Sequence, residues 1–150
     1  MRNPFEIVAW FEDAIAEYTG APYAIATTSC TEAIFLCCKY RRVKNCEVTI
    51  PNRTYLSIPQ SIIQAGGILK LEDLEWEGAY QLKPFPIYDA AKRLTSNMYI
   101  KNSYMCLSFH HKKHLKIGKG GMILTDDKKA VKEIKKFRYE GRSIGVPYHE

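Results

Sequence analysis

The sequence has 150 residues and a formal charge of +6 at pH 7, with 46% hydrophobic and 25% charged residues. That length suits one ordinary domain with a real core, and the composition excludes a disordered or fibrous chain. No run approaches the roughly 18 apolar residues of a membrane span, and acidic residues interrupt the N-terminal stretch where a signal peptide needs an apolar run, so a cytoplasmic protein with no membrane partner is expected.

From the N-terminus, Phe5, Val8, Phe11, Ile15 and Tyr18 recur at spacings of three and four. This predicts an amphipathic helix over residues 4–18, stopped by Gly20. Residues 23–27 read as a strand, and Ser29-Cys30-Thr31-Glu32 has the form of a capping box opening a helix toward Tyr40. The rhythm repeats with a strand at 46–50, a turn at 51–54, a helix at 57–65 ended by Gly66-Gly67, and a strand at 68–71. Residues 72–86 carry no strong period and are expected to form a loop or ragged edge. Short strands follow at 85–89, 104–108 and 122–125. A final helix starts at Asp126 or Asp127 and should bury Ala130, Val131, Ile134 and Phe137. Strands alternating with helices over short connections predict a single α/β domain, a three-layer and mostly parallel sheet with its functional turns on one edge.

The five cysteines are odd in number and lack CxxC spacing, so neither a disulfide framework nor a structural zinc site is expected; they should be reduced and mostly buried. The basic excess is concentrated in residues 101–150, which suits an anionic ligand at least as well as a nucleic acid.

Three segments could carry chemistry. Thr27 to Thr31 places hydroxyls and free backbone N–H groups at a helix start, where a phosphate can bind or a plain N-cap can form. Asp89 ends an apolar strand on the edge where open α/β sheets bind ligands, or caps a helix. The run from Ser108 to Gly121 holds three histidines and four lysines, including Lys112 and Lys113. His110 and His114 at i, i+4 lack the glutamate of an HExxH metal motif, and no nucleic-acid motif accompanies the lysines. A lysine nucleophile with a pKa lowered by neighbouring cations would form a Schiff base with a carbonyl cofactor, whereas a solvated basic loop needs no chemistry at all.

In order along the chain, these segments resemble the DegT/DnrJ/StrS-type sugar aminotransferases, fold-type I enzymes that use pyridoxal 5'-phosphate. Phe11-Glu12 through Tyr23-Ala-Ile-Ala26 is similar to that family's opening, and Ser29-Cys30-Thr31 to its phosphate turn, usually Ser-Gly-Thr. Thr54-Tyr55, Gln64 to Gly67, Tyr88-Asp89-Ala90-Ala91, Ser108-Phe109-His110-x-x-Lys113, Gly118-x-Gly120-Gly121 and Phe137-Arg138-x-x-Gly141-Arg142 match further motifs in the same sequence.

The resemblance implies a reduced large domain of the fold-type I transferases and a role for each matching residue. Lys113 would form the aldimine with the cofactor and move protons at the substrate carbon, and Asp89 would keep the pyridine nitrogen protonated. Ser29, Cys30, Thr31 and Ser108 would hold the phosphate, Tyr55 would stack on the ring, and Lys92 stands where the family has Gln or His near the phenolic oxygen. The implied reaction is amino transfer from a donor, glutamate, to a nucleotide-linked keto-sugar. The resemblance also implies a homodimer, or a complementary chain supplying the family's C-terminal small domain and its Asn-Tyr-Arg segment, which this chain would lack. The other readings are a pyridoxal-phosphate protein without transaminase activity and a basic module for nucleotide or nucleic acid.

Overall fold

The computed structural model describes residues 5–139 and Gly141. The predicted helix start at Pro4 and the motif residue Arg142 lie outside them.

The first helix, α1 (Glu6–Thr19), ends at Gly20, whose left-handed φ of 73° lets the N–H groups of Gly20 and Ala21 turn back onto the carbonyls of Glu17 and Ala16. It buries Ile15 and half-buries Phe11, but Val8 and Tyr18 lie at its exposed flank. Strand β1 (Tyr23–Thr27) follows, then α2 (Cys30–Tyr40), β2 (Glu47–Pro51), α3 (Ser57–Gln64) and β3 (Ile68–Glu72). These elements occupy the predicted segments to within two residues at each end.

The stretch without a period contains a short strand, β4 (Tyr80–Gln81), which pairs with β5 (Ile87–Asp89). Strands β6 (Tyr104–Ser108) and β7 (Gly121–Thr125) complete the sheet, and α4 (Lys128–Arg138) closes the described chain. Asp127 caps α4 by accepting the N–H groups of Lys129 and Ala130 at 2.9 and 3.0 Å. Its other carboxylate oxygen takes the Tyr40 and Tyr104 hydroxyls at 2.9 and 2.7 Å. Of the four residues expected inside α4, Ala130 and Ile134 are buried and Val131 is half-buried, whereas Phe137 is 51% exposed. One turn beyond Ile134 the inward position belongs to Arg138, not to Phe137.

Five strands form one sheet in the order β1-β7-β6-β5-β4, and β2 and β3 form a parallel pair. A single antiparallel bridge between Thr49 and Lys83 joins the pair to the β4 edge. The α/β class holds, but the strand direction differs from the mostly parallel expectation: β1/β7, β6/β7 and β4/β5 are antiparallel, and only β5/β6 and β2/β3 are parallel. Parallel neighbours need a crossover, usually through a helix. Between β6 and β7 the chain instead folds back as a loop over residues 109–120, so it returns antiparallel.

Side chains alternate along the strands and split the core in two. Ile25, Ile87, Cys106 and Ile123 face a cluster shared with α2, α3 and α4. Ala24, Met105, Leu107, Met122 and Leu124 face the other side, with Ile15 of α1 and Phe109. That gives the three expected layers, and each fully buried aliphatic side chain stabilises them by about 1.5–3 kcal/mol. All five cysteines are free thiols, four buried and Cys46 exposed, in keeping with the sequence.

Candidate active site

The turn between β1 and α2 is pinned from several directions. Ser29 Oγ accepts the Glu32 N–H at 3.1 Å, as a capping box requires. The reciprocal bond is displaced by one residue: Glu32 accepts the N–H and hydroxyl of Thr28 at 2.6 and 2.7 Å, not the N–H of Ser29. Thr27 Oγ1 donates to the Ser29 carbonyl at 2.9 Å. The N–H groups of Cys30 and Thr31, in the first turn of α2, have no intrahelical acceptor and sit at the positive end of the helix dipole. Thr31 Oγ1 donates to Ser57 Oγ at 2.8 Å and fastens the start of α3 to the turn.

Behind this turn lies a carboxylate that no sequence period announced. Glu12 of α1 is 4% exposed; it accepts the Ala26 N–H at 2.8 Å and Lys135 Nζ at 2.7 Å, and it pairs with the Arg138 guanidinium. Arg138 also donates to the Ala26 carbonyl at 2.8 Å. The arrangement clamps α1, β1 and α4 together just before the turn.

Asp89 sits at the C-terminal end of β5, 4% exposed. Its Oδ1 accepts the Ala91 N–H at 2.9 Å, and the Cys30 thiol lies 3.9 Å from the same oxygen. Burial pushes the Asp89 pKa up; the Ala91 N–H, the Tyr80 hydroxyl and the positive charges of Lys113 and Lys92 oppose the rise. Burial also pushes the Cys30 thiol up, with the Asp89 charge adding to it, so Cys30 is a neutral wall of the site.

The basic loop is folded on itself. Phe109 N–H donates to the Gly120 carbonyl at 3.0 Å and Ile117 N–H to the Phe109 carbonyl at 3.2 Å, while a turn joins Lys113 N–H to the His110 carbonyl at 2.8 Å. The pKa of His110 is lowered by desolvation and then by the charges of His111, Lys112 and Lys113. Its Nδ1 accepts the Lys112 N–H at 3.3 Å. Of the two adjacent lysines, Lys112 is exposed and Lys113 half-buried. Only the charge of Lys113 is felt by both Asp89 and Cys30.

These parts converge on one cavity of about 540 Å³. Ser29, Cys30, Thr31, Tyr55, Asp89, Ser108 and Lys113 all line it. Tyr55 stands at its mouth, 75% exposed. Lys92 is placed elsewhere: its ammonium lies 5.1 Å from the centre of the Trp76 ring and lines a neighbouring cavity with Arg53. Sequence reasoning missed Ser57 and Tyr80. Ser57 was legible only as a helix start, and Tyr80 lies in the stretch without a period. Among the described residues no group of three or more His, Cys, Asp or Glu is placed to hold a metal ion, and no helix is long and apolar enough to cross a membrane.

A mixed sheet flanked by helices thus brings a lysine, a buried carboxylate and a helix N-terminus around one cavity. The family model of the DegT/DnrJ/EryC1/StrS aminotransferases matches residues 3–98 and 87–148, and the chain belongs to that family. Solved structures agree on the fold. 3-Amino-5-hydroxybenzoic acid synthase superposes with a TM-score of 0.80 at 19% identity, over 97% of this chain and 50% of that one. PseC of Helicobacter pylori, an aminotransferase involved in pseudoaminic acid biosynthesis, gives 0.76 at 16% identity, over 95% and 50%. DesI, solved in the presence of its TDP-sugar product, gives 0.76 at 18%, over 95% and 47%. The chain thus spans about half the length of these structures. No curated protein sequence matches it.

Proposed function

We propose that the cavity binds pyridoxal 5'-phosphate, the cofactor its family implies, and that the chain takes part in amino transfer to a nucleotide-linked keto-sugar. The observation that carries this reading is the convergence of Asp89, Lys113 and the α2 N-terminus on one cavity. The donor set suits the cofactor: a buried carboxylate for the pyridine nitrogen, an amine for the aldehyde, and hydroxyls with free N–H groups for the phosphate.

When bound, the cofactor supplies an electron sink for charge developing at the substrate carbon. Asp89 would hold a proton at the pyridine nitrogen. Lys113 Nζ would hold the aldehyde carbon and would move a proton at the substrate carbon. Ser29, Cys30, Thr31 and Ser108 hold the phosphate, each hydrogen bond to that charged group contributing about 1.5–3 kcal/mol. Tyr55, at the cavity mouth, would stack on the ring. Lys92, held against Trp76, acts on the site through its charge.

Glutamate is the proposed donor, and a nucleotide-linked keto-sugar the proposed acceptor. Because the chain spans about half the length of its structural relatives, completion of the site falls to a second copy of the chain or to a complementary segment. The test is spectroscopic. Pyridoxal phosphate added to the purified chain should give a protein-bound visible band, and glutamate should bleach it with release of 2-oxoglutarate. A bound band that no amino donor bleaches would leave cofactor binding and remove amino transfer; absence of a bound band would remove both.

A further inference from the structure

The short strand β4 lies in the stretch that carries no strong period in the sequence, and its register places one side chain. Tyr80 is directly opposite Asp89 in the antiparallel β4/β5 pair, so both side chains leave the same face of the sheet. Tyr80 is 7% exposed, and its ring packs edge-on against Trp76 with centroids 4.7 Å apart. Its hydroxyl forms a short hydrogen bond with Thr54 Oγ1, from the turn that also carries Tyr55.

We infer that Tyr80 is a positioning residue for Asp89: Thr54 fixes the direction of the Tyr80 hydroxyl, and that hydroxyl donates to the Asp89 carboxylate and favours its ionised form. The inference rests on the cofactor reading only for its consequence, since the Tyr80 to Asp89 relationship belongs to the chain itself. A buried phenol is a donor that cannot readily lose its proton, and burial and the Asp89 charge both push the Tyr80 pKa upward. Asp89 faces few other groups. Cys30 from α2 and Cys106 from β6 are neutral thiols whose pKa values burial raises. Lys113 from the loop and Lys92 beyond β5 supply the cations. Tyr80 is therefore the phenol donor that β4 brings to this carboxylate. Its consequence for function is direct: an ionised Asp89 is the form that stabilises a pyridinium.

The test is the titration of the Asp89 carboxyl in the cofactor-free chain, followed by carbon-13 NMR. The chain has five aspartates, and the Asp89 signal is assigned by its loss in Asp89→Asn. In Tyr80→Phe the midpoint should move up by about one pH unit, the value of one hydrogen bond to a charged group. Thr54→Val, which removes the hydroxyl that orients Tyr80 without touching Asp89, should move it in the same direction by less. A midpoint unchanged in both variants overturns the inference, whatever the cofactor does. Should Tyr80→Phe fail to fold, Thr54→Val alone decides: an upward shift supports the relay and no shift refutes it. Failure of the cofactor reading registers separately, as absence of a bound band in the unsubstituted chain.

Discussion

Gly121 packs against the backbone of Ser29: a Cβ added at residue 121 would lie 2.4 Å from the Ser29 carbonyl carbon and 2.6 Å from the Cys30 nitrogen. Strand β7 and the turn into α2 therefore touch main chain to main chain, and the floor of the cavity is set by the absence of one methyl group. Gly121→Ala should push the turn off β7, at a cost of about 1–3 kcal/mol in stability as for other overpacked sites. Thermal unfolding reads the stability, and pyridoxal phosphate titration should show weaker binding than the parent chain. Unchanged affinity would separate this contact from the phosphate subsite.

Glu12 concerns the same turn from its other side. Its carboxylate ties Ala26 to Lys135 and Arg138. Glu12→Gln would leave the Arg138 guanidinium, whose side chain is 17% exposed, without its counter-charge. The expected loss is about 2–4 kcal/mol, somewhat below that of a fully buried pair because Lys135 reaches solvent. Chemical denaturation checks it, and a loss under half a kilocalorie would mean that the clamp is not energetically important.

Asp89 gives a pH dependence with a definite sign. Its folded pKa is raised, chiefly by burial. The unfolded carboxyl ionises first as pH rises, so this group's contribution to stability falls from about pH 4 upward and is fully lost above the folded pKa. Asp89→Asn should therefore raise the unfolding midpoint of the cofactor-free chain at pH 7, with a gain that shrinks as the pH is lowered toward 4. A variant less stable than the parent at pH 7 would contradict it. A site residue that costs stability in the empty chain is consistent with its proposed work on a bound cation.

Much of this was legible in the sequence because the signals are local. The Ser29 cap, the spacing of Phe11 and Ile15 in α1 and the glycine after that helix each depend on a few neighbouring residues, and their elements fall where the sequence puts them. What was not legible depends on distant partners. Nothing near Glu12 says that Arg138 will meet it, and Arg138 in turn takes the inward position that left Phe137 exposed. Tyr80 belongs to a strand of two residues, too short to show a period, whose existence is fixed by pairing with β5. Strand direction is not legible in the sequence, because a loop and a crossover look alike until the fold of residues 109–120 is known. Among the site residues, Lys92 is the one that the structure turns toward another cavity, drawn by the face of Trp76.

The central claim is that Lys113, and not the adjacent Lys112, is the amine of this site. Pyridoxal phosphate should be added to the native chain, the adduct fixed with borohydride, and the modified peptide located by mass spectrometry. One pyridoxyl group on Lys113 is expected, and none at the site in Lys113→Ala. A label on Lys112, or the same labelled peptide in Lys113→Ala, would contradict it.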